Sequence, residues 1–564
     1  MTRRSARISP FGDRALLVET DDVASAHRLA EAVRAERDGG HLPGPVDEVV
    51  VGFATVLVVF GPDPDAPRIE DSAAWIASIV DDMDSGTSED SPPATSHLLP
   101  VVFDGADLEE VAGLIGSTPR QVIELVVGAH LEVAFVGFAP GFPYLTGLPD
   151  ELAALPRRPT PRTSVPAGSV AVAGGFASVY PRSTPGGWHL LGRTAETLFD
   201  PVTPPHSLVA PGDRVRFVEV AVDEAPATRD LSTRHRPLLT ATTANSLVVL
   251  DPGLCSFVQD AGRPGVGGLG VPRAGAADPR ALELVNRLLG NLPGAAAIEC
   301  TATGPRLQVV GAGHLSVVGP GSGTVEVLVD GRAVPDCTVV PVGDGQIVSV
   351  GRVRHGLRAY VGIAGGVCTP ELLGSRSSDV LSGLGPGPLR AGDHLSRGPA
   401  GRARGRLRVA PRPVDGRTVT VRLLPGPRAD DGNASADPHL DLLVSTPWIV
   451  GPEADRIGLR LSAADGSTAL GPPPGTSTPM ITGAVQLPPD GRPIVLLPDH
   501  ATVGGYPVIA CVITADLRIL GQLAPGDRVA FTAIDRGAAV DDLRRSRSEK
   551  EAQVTGWFPS VAGT

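Results

Sequence analysis

The sequence predicts a mainly β, α+β protein of two halves, each containing a β-barrel, with a small α+β subdomain at the N-terminus. Three observations carry this expectation. The octapeptide Ala210–Phe217 (APGDRVRF) returns as Ala524–Phe531 (APGDRVAF), and a match that long at two distant places points to one β-rich unit used twice. In both copies Pro-Gly-Asp sets a turn before an alternating Val-x-Phe strand. Both copies also follow a Gly-Gly-aromatic step (Gly174-Gly175-Phe176, Gly504-Gly505-Tyr506) and a Leu-Gly step (Leu191-Gly192, Leu520-Gly521). On that alignment the first copy inserts Arg193–Val209 where the second has only Gln522-Leu523. The barrels should then share architecture but not loops, with the active site where the differing loops meet.

The elements follow in chain order. Residues 1–83 alternate β-rich runs (Arg14–Glu19, Val49–Phe60) with helical stretches (His27–Glu36, Ser72–Met83), a small α+β unit. Asp84–Ser96 is a linker by composition. Within 97–220, Asp107-x-x-Glu110 opens one helix and Thr118-Pro119-x-Gln121 is a capping box opening another. Short strands and Gly/Pro turns from Val133 to Phe217 read as the barrel. Residues 221–243 are charged, Pro-containing and aperiodic, and mark the main boundary. The second half divides into 244–395 and a barrel part at 416–535. Its best-marked helix has Asp278 as N-cap, Pro279 at the first turn and Gly290 past the end. Ser396–Asp415 and Arg428–Asp437 read as linkers, and 536–564 as a disordered tail.

Composition excludes several functions. Across 564 residues the net charge is −13, which disfavours nucleic acid or an anionic membrane as a partner. The basic stretch Arg397–Arg412 is rich in Gly and Pro and reads as a solvated connector. Five scattered cysteines without Cys-x-x-Cys spacing fit reduced thiols in a cytoplasmic protein better than disulfides or zinc. No apolar leader or membrane-length segment is evident in the sequence. Lys550 is the only lysine among 49 basic residues. A Walker A loop, a covalent biotin and a catalytic lysine are therefore not expected in the folded body, and anions must be held by arginine or backbone N–H groups.

The densest chemistry lies between Phe135 and Thr194. Phe138, Phe142 and Tyr144 sit among Gly and Pro and should build a rigid, aromatic-lined loop suited to a small molecule. Arg157, Arg158 and Arg162 follow it, while Arg182 and Arg193 flank the Gly186-Gly187-Trp188 turn. Arginines beside such a turn suit a carboxylate or phosphate. In the second half, Gln259, Asp260 and Arg263 bring an amide, a carboxylate and a guanidinium to one turn. Asp260 is a candidate general base or Mg²⁺ contact, and Arg263 a candidate anion clamp. Glu299, Gln486, Asp499 and Tyr506 complete the candidate set. Gly265–Gly270 satisfies G-x-G-x-x-G but lacks the strand-to-helix context of a dinucleotide site. His189 and His500 lack the pairing of a metal site.

These stretches carry a resemblance. FVGFAPGFPYLTGLP with VYPRSTPGGWHLLGRT resembles the "allophanate hydrolase subunit 1" family, which includes the B component of 5-oxoprolinase and the kinase inhibitor KipI. DPGLCSFVQDAGRPGVGGLGVPRAG with GAVQLPPDGRPIVLLPDHATVGGYP resembles the "subunit 2" family, which includes the C component of 5-oxoprolinase. The resemblance covers roughly 10–220 and 245–535 and implies a cyclophilin-like barrel in each half. It departs from the family pattern at Ala274, Ala277 and Ala501. It further implies a fused B/C protein that uses ATP and Mg²⁺ to hydrolyse 5-oxo-L-proline to L-glutamate, with a separate LamB/YcsF-like A component of 5-oxoprolinase as partner. A homo-oligomer is compatible with the sequence. Alternatives implied by the same families are the carboxyltransferase component of a urea-carboxylase-like biotin system, and a KipI-like regulator of a sensor kinase.

Overall fold

The computed structural model describes residues 6–40, 44–61, 69–85, 94–221, 245–400, 418–427, 437–466, 471 and 477–555. Most of each expected linker, including 222–243 and 401–415, lies outside them. Among the described residues no helix is long and apolar enough to cross a membrane.

The N-terminal subdomain is an antiparallel sheet of Arg7–Phe11, Ala15–Glu19, Thr55–Phe60 and Val46–Gly52, in that spatial order. Helices Val23–Gly39 and Ile69–Ser85 pack with it. The first is capped at both ends, by Asp22 accepting from Ser25 N at 2.7 Å and by Gly40 at φ 74°. Strand Thr55–Phe60 is buried at every position. Its cluster continues into Phe135 and Tyr144 of the first barrel and Met480 and Val503 of the second. The subdomain thus joins the two halves. Asp13 accepts from Thr514 N at 2.9 Å, and Glu48 accepts from Gly265 N and Gly267 N at 2.7 and 3.0 Å. Those last two bonds give the glycine-rich turn a structural occupation as a carboxylate cradle.

Each half holds a seven-stranded barrel. The strands of the first are Ser96–Val101, Leu131–Val136, Pro143–Thr146, Ser169–Ala173, Phe176–Val179, His189–Arg193 and Arg214–Glu219. Those of the second are Val419–Pro425, Trp448–Val450, Gly458–Ala463, Ala484–Gln486, Ile494–Leu496, Val508–Val512 and Arg528–Ala533. Numbered along the chain, both run 1-6-4-5-3-2-7 around the barrel, strand 7 lying parallel to strand 1. The second ring is closed. The first closes through Val102 and Arg193, which exchange backbone hydrogen bonds of 2.9 and 2.8 Å.

The repeated octapeptide is the entry to strand 7. Asp213 Oδ2 accepts from Ala210 N at 2.9 Å and Asp527 Oδ2 from Ala524 N at 2.8 Å. The intervening Gly212 and Gly526 have φ of 90° and 91°, conformations that exact little from glycine alone. The flanking alignment changes, however. Gly174 and Gly175 form the hairpin between strands 4 and 5 with positive φ, whereas Gly504 and Gly505 are absent from the positive-φ positions. Gly504 ends a two-stranded ribbon, Thr478–Pro479 with Val503–Gly504, just before strand 6. Its equivalent in the first half is the ribbon Arg162–Val165 with Thr184–Gly186, so Gly504-Gly505-Tyr506 matches Gly186-Gly187-Trp188. Leu191-Gly192 lies in a strand and Leu520-Gly521 at the end of the one-turn helix Leu517–Leu520. The connections from strand 6 to strand 7, residues 194–213 and 513–527, are comparable, and the large insertion expected in the first copy disappears.

Between the barrels in sequence, Ser246–Ser396 forms a six-stranded and a five-stranded sheet enclosing one core. Helix Pro279–Leu289, capped by Asp278 and closed by Gly290 at φ 70°, packs on the five-stranded sheet. The segment expected as a disordered tail instead forms helix Arg536–Thr555; only 556–564 lie outside the described residues. Asp535 accepts from Ala538 N at 2.9 Å and Ala539 is buried with Leu424 and Ile513. Asp542 further along the helix pairs with Arg422 of the barrel, so strong helix formers plus a few docked positions suffice where apolar periodicity is missing.

Candidate functional site

The loop Gln259–Arg263 leaves strand Cys255–Gln259 and turns at Gly262, whose φ is 84°. Asp260 Oδ1 accepts from Gly262 N at 2.8 Å and from the hydroxyls of Ser375 and Ser377, each at 2.6 Å. Its Oδ2 accepts from Arg376 N at 2.6 Å. This carboxylate therefore ties two loops together, and its uncommitted capacity is one lone pair on Oδ2. Gln259 donates to Ser378 O at 2.9 Å, continuing the same seam. Arg263 is wholly buried and donates from Nη2 to Ser377 O at 2.5 Å, while its Nε and Nη1 are without a partner among the described residues. Burial, opposed by Asp379, Asp260 and Asp499, lowers its pKa.

A buried ionic network adjoins this seam. Glu299 accepts from Tyr360 OH at 2.7 Å and Ala277 N at 2.9 Å, and pairs with Arg456 and with Arg358. Burial works to raise its pKa, but Arg456 and Arg358 outweigh it and hold the carboxyl below its usual value. Arg456 also bonds Asp499 through Nε and Nη2, at 3.0 and 2.9 Å, and donates to Gly275 O at 2.5 Å. Asp379 lies alongside: burial, then the Asp499 carboxylate, push it up to about 7. Burial likewise pushes His500 down to about 4, leaving the ring neutral near pH 7.

On the first barrel, Phe142 packs edge-on against Phe138, Tyr144, Tyr180 and Trp188, with ring centroids 5.2–5.6 Å apart. Phe138 is held at φ 65°. The loop is pinned by Gly141 N donating to Leu269 O at 2.9 Å, which joins the aromatic wall to the second half. Gly186 lies against the Tyr180 ring, and Gly187 O accepts from Arg158 N at 2.8 Å. Arg162 makes a two-pronged pair with Asp107, at 2.9 and 2.6 Å. Asp107 therefore precedes its helix without capping it, because its oxygens serve Arg158, Arg162 and Leu190 N. Arg193 pairs with Asp104 at the barrel closure, at 2.9 Å. In the second barrel Gln486 donates to Tyr506 O at 3.2 Å and Tyr506 is exposed.

The structure thus gathers Gln259, Asp260, Arg263, Glu299 and Asp499 into one neighbourhood. It gathers Phe138, Phe142, Tyr144, Arg162, Gly186, Gly187 and Trp188 into a second, with Gln486 and Tyr506 on the other barrel. Sequence reasoning missed Arg456, Arg358 and Asp379, which sit in no recognisable motif. It also missed a cleft of about 470 Å³ that borders Asp260 and is walled by Arg14, Arg273 and Arg518. Arg14 comes from the N-terminal subdomain, so the cleft belongs to both halves. Among the described residues no group of three or more His, Cys, Asp or Glu could hold a metal.

Residues 6–209 match the family described as "Carboxyltransferase domain, subdomain C and D", and residues 269–533 "Carboxyltransferase domain, subdomain A and B". The chain is similar to the C component of 5-oxoprolinase from Escherichia coli (strain K12), 32% identical over 313 residues, 54% of this chain and 95% of that protein. It is similar to the B component of 5-oxoprolinase from Escherichia coli O157:H7, 50% identical over 123 residues, 21% of this chain and 56% of that protein. The crystal structure of TTHA0988 superposes with a TM-score of 0.79 at 32% identity, covering 92% of this chain and 99% of that one. The chain therefore belongs to the carboxyltransferase-domain family, as a fusion of a half like the B component of 5-oxoprolinase with a half like its C component.

Proposed function

We propose that this chain forms the B and C components of an ATP-dependent 5-oxoprolinase, an amidohydrolase that opens 5-oxo-L-proline to L-glutamate with a separate A component. The observation that carries the reading is the presence of both likenesses in one chain, each over its own half. The chemistry explains the ATP. A five-membered lactam is a poor electrophile, and transfer of a phosphoryl group to its amide oxygen makes the carbonyl carbon open to water. The ring C–N bond then breaks, the nitrogen takes a proton, and phosphate and ADP leave.

This chain's residues would hold the anionic reactants with arginine and keep bulk water from the activated amide. Asp260 would act chiefly by positioning the Ser375–Ser377 loop, with Oδ2 as the acceptor left for a water or lactam proton. Magnesium would enter with the nucleotide phosphates, a mode that needs no three-ligand acidic cluster, and the described residues present none.

The test is to mix purified chain with the A component, Mg²⁺, ATP and 5-oxoproline and to follow glutamate. Stoichiometric glutamate and phosphate support the reading. A folded chain with an authentic A component and no glutamate defeats it. Carboxyl transfer is a second reading, favoured by urea amidolyase of Saccharomyces cerevisiae, 28% identical over 334 residues and 17% of that protein. Supplying a carboxylated biotin carrier and urea in place of 5-oxoproline tests it.

A further inference from the structure

The cleft beside Asp260 carries an electrostatic imbalance. Its lining brings Arg14, Arg273, Arg280, Arg287 and Arg518 against two carboxylates, Asp260 and Glu283. Glu283 is paired with Arg287 at 2.5 Å. Both oxygens of Asp260 are engaged by the hydroxyls and backbone of the neighbouring loops. Arg273 is paired with Asp47 at 2.8 Å. Arg14 is held in place by neutral acceptors, Thr514 Oγ1 at 2.9 Å and Phe60 O at 3.2 Å, so its position is fixed while its charge meets no carboxylate contact among the described residues. Burial lowers the pKa of Arg14; Asp13 and Asp47 oppose this and Arg273 adds to it. Arg14 and Arg273 thus both line the cleft, with Asp47 engaged by Arg273. Arg518, half-buried on the one-turn helix Leu517–Leu520, forms no ion pair or side-chain hydrogen bond among the described residues. Like charges fixed around a cavity are relieved by an anion, and guanidinium forks match phosphate oxygens.

The same lining also carries apolar residues, Leu282, Leu497, Pro498 and Leu517. About 470 Å³ lies within the ordinary range for a small-molecule or cofactor site. We infer that this cleft is the nucleoside triphosphate site of the molecule, Arg14, Arg273 and Arg518 holding the phosphates and the apolar lining residues receiving the base. The inference rests on the proposed function for the choice of nucleotide, and on the cleft alone for the phosphate. It assigns the site to the junction of the N-terminal subdomain with the second half. Neither the aromatic wall nor Arg162, already paired with Asp107, then needs to bind phosphate.

The experiment measures binding of inorganic triphosphate and of Mg·ATP to the full chain alone by titration calorimetry. The proteins are wild type, Arg518→Gln and Arg14→Gln, with circular dichroism to verify folding. Both ligands should bind the wild type, and Arg518→Gln should weaken each about tenfold or more, the loss of one charge-assisted contact. Arg14→Gln removes bonds that join the subdomain to the second barrel, whereas no side-chain hydrogen bond among the described residues depends on Arg518. Arg518→Gln is therefore the decisive variant. Wild-type affinity in Arg518→Gln overturns the inference, as does a wild type that binds neither ligand. The glutamate assay separates this from the proposed function. Triphosphate binding lost in Arg518→Gln without any glutamate from wild type upholds the cleft and defeats the reaction. Full glutamate production by Arg518→Gln upholds the reaction and defeats the cleft.

Discussion

Arg456 holds Asp499 with two parallel hydrogen bonds, of 3.0 and 2.9 Å, at a depth where neither side chain meets bulk water. The same guanidinium reaches Glu299, so one cation from the second barrel neutralises a carboxylate of its own barrel and one of the preceding double sheet. Removing one partner of a buried pair leaves the other charge uncompensated. Arg456→Ala should cost about 3–5 kcal/mol of stability, measured by denaturant unfolding of the full chain. A loss below about 1 kcal/mol, the value of an exposed pair, would show that the network is not what joins these two units.

Asp379 gives a pH signature. Burial and the Asp499 carboxylate raise its pKa to about 7 in the folded chain, above the value near 4 expected when unfolded. The folded state then binds the extra proton, and stability declines as pH rises from about 4 to about 7 before levelling off. Asp379→Asn should remove that decline. The variant's advantage over wild type should therefore grow across this window and stay constant above it, which thermal unfolding at a series of pH values would reveal. An advantage independent of pH would contradict the assignment.

The two strand-7 turns should respond alike to substitution. A side chain at Gly212 or Gly526 is forced to φ near 90°, and a Cβ at Gly526 meets nothing within 4 Å, so the cost is backbone strain. Gly526→Ala and Gly212→Ala should each lower stability by about 1–2 kcal/mol, read as a shift in the unfolding midpoint. A neutral Gly526→Ala would mean that this turn relaxes freely.

Phe142 is the hub of the aromatic wall, touching four other rings while 1% exposed. Phe142→Ala should cost about 3–5 kcal/mol and Phe142→Leu distinctly less. Equal losses in the two variants would show that ring geometry, not cavity volume, sets the penalty.

The duplication was legible because Pro-Gly-Asp makes its turn from local residues: Gly212 supplies the φ and Asp213 the closing acceptor, all within one short stretch. The pairing of Gly504-Gly505 with Gly186-Gly187 was not, because a Gly-Gly step reads the same whether it turns a hairpin or ends a ribbon. Only strand order distinguishes the two cases. Gln259, Asp260 and Arg263 could be read together because one Gly-containing turn carries all three, whereas Glu299 and Asp499 were only separate candidates whose meeting with that turn depends on the fold. Arg456 and Arg14 were invisible for a related reason. Each is a lone arginine whose meaning comes from carboxylates or a cavity that the chain reaches only after folding. The C-terminal helix was missed because it docks through one buried alanine, Ala539, and through polar contacts such as that of Asp542 with Arg422, which leave no apolar periodic mark.

The bond between Asp13 and Thr514 joins residues near opposite ends of the chain. Were the halves separate polypeptides, this contact and the Glu48 cradle would have to form between molecules and would dissolve on dilution. Carried on one chain, they close at an effective concentration set by the connecting segment. Arg14 therefore reaches the cleft whatever the protein concentration, and the completeness of that pocket becomes a property of each molecule instead of an association equilibrium.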